Sequence, residues 1–286
     1  MSQIKKILCI VGPTASGKTD FALKLAVEKN GEIINADSRQ FYREMFIGTA
    51  KPSPEQLNAI PHHLIDVATL AKPWSAGDFV RAAGVAIDDI IQRGKLPIVV
   101  GGTGLYVRSL LEGLDPIPET DPAVRAKLQM RLETEGLAVL FEELKTLDPE
   151  AHARLKSADT QRILRALEII LQTGQTQSSF WQQEKPASIY DAQIIGLKHP
   201  REVLYEKINA RTCVMLASGL KSEAQKLWEQ FPDNIVLSRT IGYAEWPECD
   251  WDDTLAAELI ARNTRHFAKR QMTWFGKHEK IEWISA

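Results

Sequence analysis

One short segment limits the fold of this chain more than any other. Residues 12–19 read Gly-Pro-Thr-Ala-Ser-Gly-Lys-Thr and follow an apolar run at 7–11. From Phe21 to Ala26, apolar residues recur at helical spacing. The segment matches G-x-x-x-x-G-K-[ST], which forms a phosphate-binding P-loop when a strand precedes it and a helix follows. We therefore predict a P-loop between the first strand and the first helix.

The residue types in this loop indicate what it binds. Its glycines let successive backbone N–H groups point at a phosphate, and the helix that follows adds a favourable dipole. Lys18 reaches the outer phosphate, and the Thr19 hydroxyl is placed to bind Mg²⁺. The predicted ligand is a di- or triphosphate. The predicted binding residues are Gly12, Pro13, Thr14, Ala15, Ser16, Gly17, Lys18 and Thr19.

The next elements indicate the fold class. Buried strands are predicted at 32–36 and 96–100, with an amphipathic helix at 75–93 between them. This alternation predicts an α/β fold, a P-loop NTPase-like doubly wound parallel sheet. Ligands of such sheets bind beyond the carboxyl ends of the strands, so Asp37 and Thr19 are expected to line one crevice.

The pattern changes near residue 116, where helical segments rich in arginine and lysine replace the alternation. Strand character returns at 193–198. We predict an inserted helical subdomain at 116–190 within a core of 1–115 and 191–286. The stretch 262–280 carries six lysines and arginines against one acidic residue, with aromatic residues interleaved. A solvated amphipathic helix and a nucleic-acid surface both fit this stretch.

Composition excludes several classes. Cys9, Cys213 and Cys249 lack CxxC or Cys/His spacing, so neither a disulfide framework nor a zinc site is predicted. No secretory apolar region and no run of 18 apolar residues occurs, so we expect a cytoplasmic protein without a membrane partner. His62 and His63 have no third ligand at suitable spacing and are interpreted as loop or packing residues.

The residues alone leave the chemistry open. The strand at 96–100 ends in glycine, without the Asp or Glu with which P-loop hydrolases hold Mg²⁺, so motor-type ATP hydrolysis is disfavoured. Asp37 fits a metal ligand, a base that deprotonates an acceptor, or a cap of the following turn. Thr103, within a Gly-Gly-Thr-Gly turn, fits turn chemistry and substrate contact equally.

Several further motifs together resemble one family, the tRNA dimethylallyltransferases, also called isopentenyl-tRNA transferases. Besides the P-loop, they are Asp-Ser-Arg-Gln-Phe-Tyr at 37–42, Ile-Gly-Thr-Ala-Lys-Pro at 47–52, His-His-Leu-Ile-Asp at 62–66, Gly-Gly-Thr-Gly-Leu-Tyr at 101–106, Gln-Arg-Ile-Leu-Arg-Ala-Leu-Glu at 161–168, Ile-Gly-Tyr at 241–243 and Lys-Arg-Gln-Met-Thr-Trp at 269–274. The resemblance runs the whole chain. Phe46 and Gly276 depart from it, where relatives commonly carry Asp and Arg.

The resemblance implies a reaction. A dimethylallyl group would pass from dimethylallyl diphosphate to the exocyclic amine of the adenosine 3′-adjacent to a tRNA anticodon. In that family the position matching Asp37 deprotonates the amine, and those matching Lys18, Thr19 and Arg211 hold the diphosphate. The implied cofactor is Mg²⁺, with Thr19 as its protein ligand. The implied partners are the tRNA anticodon stem-loop and dimethylallyl diphosphate, and we expect a monomer.

The family also assigns tRNA contacts, and these include basic residues of the predicted insert and of the C-terminal stretch. That agreement favours a nucleic-acid surface at 262–280. The implied tRNA-binding residues are Asp37, Ser38, Arg39, Gln40, Thr103, Arg125, Gln161, Arg162, Ile163, Leu164, Arg165, Arg239, Thr240, Ile241, Gly242, Tyr243, Lys269, Arg270, Gln271, Thr273 and Trp274. The rival hypotheses are a small-molecule or nucleoside kinase that uses ATP and a nucleotide-dependent RNA-binding protein without chemistry.

Overall fold

A computed structural model describes residues 4–183 and 188–285. Its strands are β1 Lys5–Val11, β2 Gly31–Asn35, β3 His62–His63, β4 Leu96–Gly101, β5 Tyr190–Lys198 and β6 Ile281–Ser285. They form one parallel sheet in the order β3-β2-β4-β1-β5-β6. The predicted α/β class is confirmed.

Helices connect the strands. They are α1 Lys18–Glu28, α2 Pro54–Ala59, α3 Ala76–Gln92, α4 Gly104–Glu112, α5 Pro122–Glu135, α6 Leu137–Leu147, α7 Pro149–Arg154, α8 Thr160–Thr173, α9 Gln177–Trp181, α10 Arg201–Ala217, α11 Leu220–Gln230, α12 Glu245–Glu248 and α13 Asp253–Phe275, with 3₁₀ turns at Ile47–Thr49 and Leu237–Arg239. None of the helices in the described ranges combines the length and apolarity that crossing a membrane requires.

Strand β1 lies between β4 and β5, and its register places the important loops together. Val11 at its end pairs with Gly101 of β4 and with Gly196 of β5. Asn35 at the end of β2 pairs with Val100. The P-loop, the segment after β2 and the glycine-rich turn after β4 therefore leave the same edge of the sheet.

Both faces of β1 are buried, as expected for a parallel sheet covered by helices. Leu8 and Ile10 pack in one apolar cluster with α1, whereas Cys9 and Val11 belong to a larger cluster that includes α3. This alternation follows from the two-residue period of a strand. Helix α3 begins with a capping box, in which the Ser75 side chain accepts the Asp78 N–H.

The chain divides into two compact units, Met1–Leu111 with Ser188–Ala286 and Glu112–Ala187. The sequence had suggested an insert at 116–190, so the boundaries differ by a few residues. The second unit, here called the helical unit, has its own apolar core, in which Leu128, Leu140 and Leu167 are fully buried.

Two strands were not predicted. Strand β3 has only two residues, too few for any period to appear, and it pairs with β2 through Ile33 and His62. Strand β6 comes from the C-terminal end, where only helices were expected, and it pairs with β5 through Ile194 and Ile281. The first unit therefore extends its sheet at both edges with short strands.

Candidate active site

The P-loop connects β1 with α1, and two of its glycines are required by geometry. Gly12 has φ +144°, and a Cβ there would lie 2.6 Å from the Leu197 carbonyl oxygen of β5. Gly17 has φ +82° and precedes the first residue of α1. These positions allow a tight loop that L-residues with side chains would strain.

Lys18 is enclosed by the loop, and its Nζ donates to the Pro13 carbonyl at 2.5 Å. Burial lowers the pKa of Lys18 to about 8, against an opposing effect of Asp37 and with a smaller lowering by Arg211. A bound anion reverses such a shift because it favours the charged amine. The loop therefore holds a cation whose charge depends on what occupies the site.

Arg211 of α10 lies at the P-loop although about 190 residues separate them in sequence. Its Nη2 donates to Thr14 Oγ1 at 2.6 Å. Burial lowers the pKa of Arg211, and Asp37 raises it. The structure thus brings together Lys18, Arg211 and Asp37, which the resemblance had grouped as catalytic.

A cavity of about 280 Å³ opens at this loop, lined by residues 14–20 together with Asp37, Lys51, His62 and others. A second cavity, of about 440 Å³, is lined by Thr103, Arg239, Arg270 and Trp274 among others. Residues that line both cavities are Thr14, Asp37, Thr49, Ala50, Arg211 and Gln271. The two cavities therefore adjoin, and Asp37 lies where they meet.

Asp37 is held by the residue two before it. Its N–H donates to Asn35 Oδ1 at 3.0 Å, and Asn35 Nδ2 donates to the Leu64 carbonyl at 3.0 Å. The Oδ1 of Asp37 accepts the Arg39 N–H at 2.9 Å. Asp37 therefore caps the following turn, as one interpretation anticipated, and its side chain also lines both cavities.

Thr103 joins the turn after β4 to the segment after β2. Its Oγ1 accepts the Ser38 N–H at 3.0 Å and donates to Ser38 Oγ at 3.3 Å. Gly104 is required for packing, because a Cβ there would lie 2.1 Å from the Trp274 ring. The threonine thus serves the turn and also lines the second cavity.

Glu223 of α11 fixes the 3₁₀ turn Ile47–Thr49, and no sequence motif had indicated it. Its carboxylate accepts the Ile47 N–H at 3.0 Å and the hydroxyl of Tyr243. Burial and, next, Glu223 raise the pKa of Tyr243, so its hydroxyl stays protonated. A Cβ on Gly48 would lie 2.4 Å from the Tyr243 ring.

The helix α13 presents residues of different burial. Lys269, Arg270 and Thr273 are exposed, whereas Trp274 is half-buried with the Arg108 guanidinium 4.9 Å from its ring centroid. Gln271 is 5% exposed, and its amide bonds to Thr14 and Gly102. Lys269 and Arg270 thus lie at the surface, and Gln271 lies inside.

Two residues expected to contact tRNA have fully buried side chains that line neither cavity. Tyr243 packs against Gly48, and Ile163 belongs to the core of the helical unit. A fully buried ring or alkyl group offers no side-chain surface to RNA in this structure, and contact of these two residues with tRNA stays a prediction. Thr240 is also buried, but it lines the second cavity.

In the helical unit, Arg125 and Arg165 form ion pairs with the buried carboxylate of Glu168. Glu168 is 1% exposed and accepts Arg125 Nε at 2.7 Å and Nη2 at 3.0 Å. Arg165 donates to the Pro118 carbonyl at 2.9 Å and to Thr120 Oγ1. Arg125 and Arg162 are mostly exposed, so they present charge at the surface of this unit, whereas Arg165 is engaged within it.

Both histidines that raised a metal hypothesis have protein partners. His63 Nε2 lies 2.8 Å from Glu32 Oε2, and His62 Nδ1 lies 2.7 Å from the Ile60 carbonyl oxygen. Across residues 4–183 and 188–285, no group of three or more His, Cys, Asp or Glu side chains could hold a metal ion. Thr19, which the resemblance implies as a metal ligand, lines the first cavity, as does Asp37.

The parallel sheet, the P-loop with its enclosed lysine and the carboxylate between two cavities define the class of P-loop α/β proteins. The family model described as IPP transferase matches residues 40–278. The chain therefore belongs to the IPP transferase family.

Individual relatives agree along nearly the whole chain. A tRNA dimethylallyltransferase 2 of Geotalea uraniireducens is 46% identical over 98% of this chain and 92% of its own length. The full-length tRNA isopentenylpyrophosphate transferase of Bacillus halodurans superposes with a TM-score of 0.71 at 36% identity, over 99% of this chain and 90% of that one. A eukaryotic dimethylallyltransferase acting on tRNA gives 0.86 at 28% identity, over 98% and 74%.

Proposed function

We propose that this protein transfers a dimethylallyl group from dimethylallyl diphosphate to the exocyclic amine of the adenosine next to the anticodon of tRNA. The observation that carries the proposal is the meeting of two cavities at Asp37. One cavity contains the P-loop and suits a diphosphate. The other is lined by Arg270 and Trp274, which suit a nucleotide.

The P-loop binds the leaving group in this reaction. Lys18 and Arg211 bring two cations to the diphosphate, and the N-terminus of α1 adds its dipole. These groups stabilise the negative charge that grows on the diphosphate as the bond to the allylic carbon breaks. The diphosphate leaves with the electron pair of the broken C–O bond.

Asp37 acts on the other reactant. The amine nitrogen forms the new C–N bond, and the carboxylate accepts the proton that the nitrogen loses. The Asn35 side chain accepts the Asp37 N–H, and the Arg39 N–H donates to the Asp37 carboxylate. These bonds keep the carboxylate in the wall shared by the two cavities. Proton removal and departure of the diphosphate thus involve different side chains, Asp37 for the first and Lys18 with Arg211 for the second.

The donor set at the P-loop fits Mg²⁺. Thr19 supplies a hydroxyl oxygen in the first cavity, and Mg²⁺ is commonly held by one or two protein oxygens together with phosphate oxygens and water. When bound, the ion would neutralise charge on the diphosphate. The chain's own residues position that diphosphate through Lys18, Arg211 and the loop backbone.

Exposed basic residues hold the RNA in this proposal. Lys269 and Arg270 on α13, and Arg125 and Arg162 in the helical unit, contact the phosphate backbone of the anticodon stem-loop. The target base leaves its stack and enters the second cavity, a step that is least costly in a single-stranded loop. Lys18, Asp37 and Arg211 all come from one chain, so we propose that a monomer suffices. We also propose that it works in the cytoplasm, where tRNA is processed.

A labelled transfer assay tests the proposal. The protein is incubated with dimethylallyl diphosphate labelled in the allyl group, Mg²⁺ and unmodified tRNA, with a tRNA lacking the target adenosine as control. We expect label in the first tRNA alone, at one group per molecule. Absence of label, together with ATP-dependent phosphorylation of a small acceptor, would favour the kinase hypothesis, which relies on the same loop.

A further inference from the structure

We propose that Gln271 is a positioning residue that holds the P-loop in its diphosphate-binding shape, and that its side chain supplies this role and not RNA affinity. The inference deepens the proposed function and rests on it for the identity of the diphosphate. It changes the role that the resemblance had given to this position.

The amide of Gln271 joins two loops that are far apart in sequence. Its Oε1 accepts the Thr14 N–H at 2.8 Å, and its Nε2 donates to the Gly102 carbonyl at 2.9 Å. The side chain is 5% exposed. A Cβ on Gly102 would lie 2.2 Å from Nε2, so the glycine leaves room for this contact. One buried amide therefore links α13, the P-loop and the turn after β4.

Thr14 is consequently held from two sides. Its backbone N–H is bound by Gln271 of α13, and its hydroxyl oxygen accepts Arg211 Nη2 of α10 at 2.6 Å. Without the amide, a poorly exposed N–H would lose its partner and the first turn of the P-loop would be free to shift. Because Arg211 is anchored on Thr14, such a shift would also move the guanidinium away from the diphosphate.

The position of Gln271 on its helix separates it from its basic neighbours. Successive residues of an α-helix point about 100° apart. Lys269 and Arg270 are exposed, whereas Gln271 faces inward and lines both cavities. The block at 269–274, to which the resemblance assigns tRNA contacts, therefore combines two exposed cations with one buried side chain that is hydrogen-bonded to the P-loop.

An amide suits this place better than related side chains. It offers an acceptor at one end and a donor at the other, whereas an ionised carboxylate offers only acceptors. Glutamate here would repel the Gly102 carbonyl while ionised and would restore both hydrogen bonds when protonated. Methionine has a similar shape and provides neither bond. These two replacements separate hydrogen bonding from packing.

The experiment compares Gln271→Met and Gln271→Glu with the unaltered protein, and uses Gln230→Met, at an exposed position of α11, as the matched control. Binding of inorganic pyrophosphate with Mg²⁺ is measured by calorimetry, and binding of an unmodified anticodon stem-loop RNA by fluorescence. We expect Gln271→Met to bind pyrophosphate about tenfold more weakly, because the Thr14 N–H of the P-loop is left without its partner. RNA affinity should stay within about twofold, and Gln230→Met should change neither.

The glutamate variant adds a second measurement, the pH dependence of pyrophosphate affinity, which would not change if Gln271 served only for packing. Other charged groups line the cavities beside Gln271, so pH affects the unaltered protein as well: Lys18, Asp20, Asp37, Lys51, His62 and Arg211 in the first cavity, and Arg39, Arg239 and Arg270 in the second. The ratio of pyrophosphate affinities, variant to unaltered protein at each pH, removes that common dependence. We expect this ratio to rise toward one as the pH is lowered from 8 to 5, roughly across the titration of a buried glutamate.

Two results would overturn the inference. One is pyrophosphate binding by Gln271→Met that equals the unaltered protein while RNA binding falls, which would make Gln271 an RNA contact. The other is an affinity ratio for Gln271→Glu that does not change with pH, which decides the matter even if the methionine variant fails to fold. Since pyrophosphate binding needs no transfer, a failed transfer assay with these results intact would contradict the reaction and leave the positioning role standing.

Discussion

The Asp37 carboxylate accepts the Arg39 N–H and also faces both cavities. We expect Asp37→Asn to lower kcat by roughly 10²–10⁴, the usual contribution of a general base. Asparagine keeps the capping oxygen, so the turn and the tRNA affinity should persist. Single-turnover transfer measures the first effect, and RNA titration the second. Near-normal turnover would show that the proton goes to another group.

Lys18 makes diphosphate binding dependent on pH. Its pKa in the unbound protein is lowered to about 8, first because of burial, so the amine is largely neutral above that pH. Pyrophosphate binds best to the charged amine, so binding above pH 8 should take up a proton. Calorimetry in buffers of different ionisation enthalpy measures this uptake. Lys18→Arg, which keeps its charge throughout, is the control and should show less uptake.

Glu32 of β2 is a buried carboxylate away from the cavities, bound by Arg93, Lys95 and His63. Its hydrogen bond from Arg93 is the largest cause that lowers its pKa to about 2, from 4.5. That shift corresponds to roughly 3 kcal/mol at neutral pH. Because Arg93 and Lys95 are partly exposed, we expect a smaller loss of about 2 kcal/mol for Glu32→Gln.

The pH range of this effect follows from the sign of the shift. A folded-state pKa below the unfolded value stabilises the protein above about pH 4.5, and the stabilisation is lost as the pH falls through about 2. Urea unfolding of Glu32→Gln should therefore differ from the unaltered protein at pH 7 and converge with it in acid. Glu28→Gln, at an exposed position of α1, should match the unaltered protein throughout.

The sequence revealed those site residues that neighbouring residues in the chain identify. Lys18 and Thr19 belong to a contiguous motif, and Asp37 follows a recognisable strand. Arg211 could be named only through resemblance, because nothing near it in sequence indicates a P-loop. Glu223 and the inward role of Gln271 were not predictable, since the backbone groups that they bind lie more than 160 residues away.

Among the elements, α13 combines an exposed basic side with a buried side. Lys269 and Arg270 are exposed, and the opposite side packs Ala268, Gln271 and Phe275. We expect the double change Lys269→Ala with Arg270→Ala to weaken tRNA binding and to reduce its salt slope by about 1.4, or about 0.7 for each contact to a single-stranded phosphate.

Fluorescence titration of tRNA at several salt concentrations measures this slope. The matched control is Lys24→Ala with Lys29→Ala, which removes two exposed lysines on or next to α1. Equal slopes for the two double variants would indicate that α13 contributes only general charge. Pyrophosphate affinity should not change in either, because Gln271 remains in place.

Long periodic elements were predictable, and short edge elements were not. Helix α3 was expected at 75–93 and lies at Ala76–Gln92, because its apolar spacing and capping box agree. Strand β6 contains three apolar residues, Ile281, Trp283 and Ile284, yet its strand conformation depends on pairing with β5, a contact distant in sequence. Propensity cannot reveal a strand that tertiary pairing specifies.

At the scale of the whole molecule, the helical unit has a core separate from the sheet. We expect Leu140→Ala to destabilise that unit by about 2–5 kcal/mol, as large-to-small changes in cores do. Limited proteolysis should then cut the unit faster, and tRNA affinity should fall. Pyrophosphate affinity should stay constant, because the P-loop belongs to the other unit.

Leu147→Ala is the control for this change. It lies on the same helix, α6, but its side chain is 39% exposed, so the cost should be small. A loss of pyrophosphate affinity in step with the loss of the helical unit's stability would show that the two units unfold as one. Because we expect the two units to unfold separately, calorimetric unfolding of the unaltered protein should resolve two transitions.

The place where the helical unit leaves the chain has an evolutionary consequence. The unit begins after β4 and ends before β5, and both of these strands pair directly with β1. Under the proposed function, natural selection can therefore lengthen, shorten or remodel the inserted helices to suit new RNA shapes without altering the register of the three strands. Recognition in this lineage is free to diversify while the chemistry stays fixed.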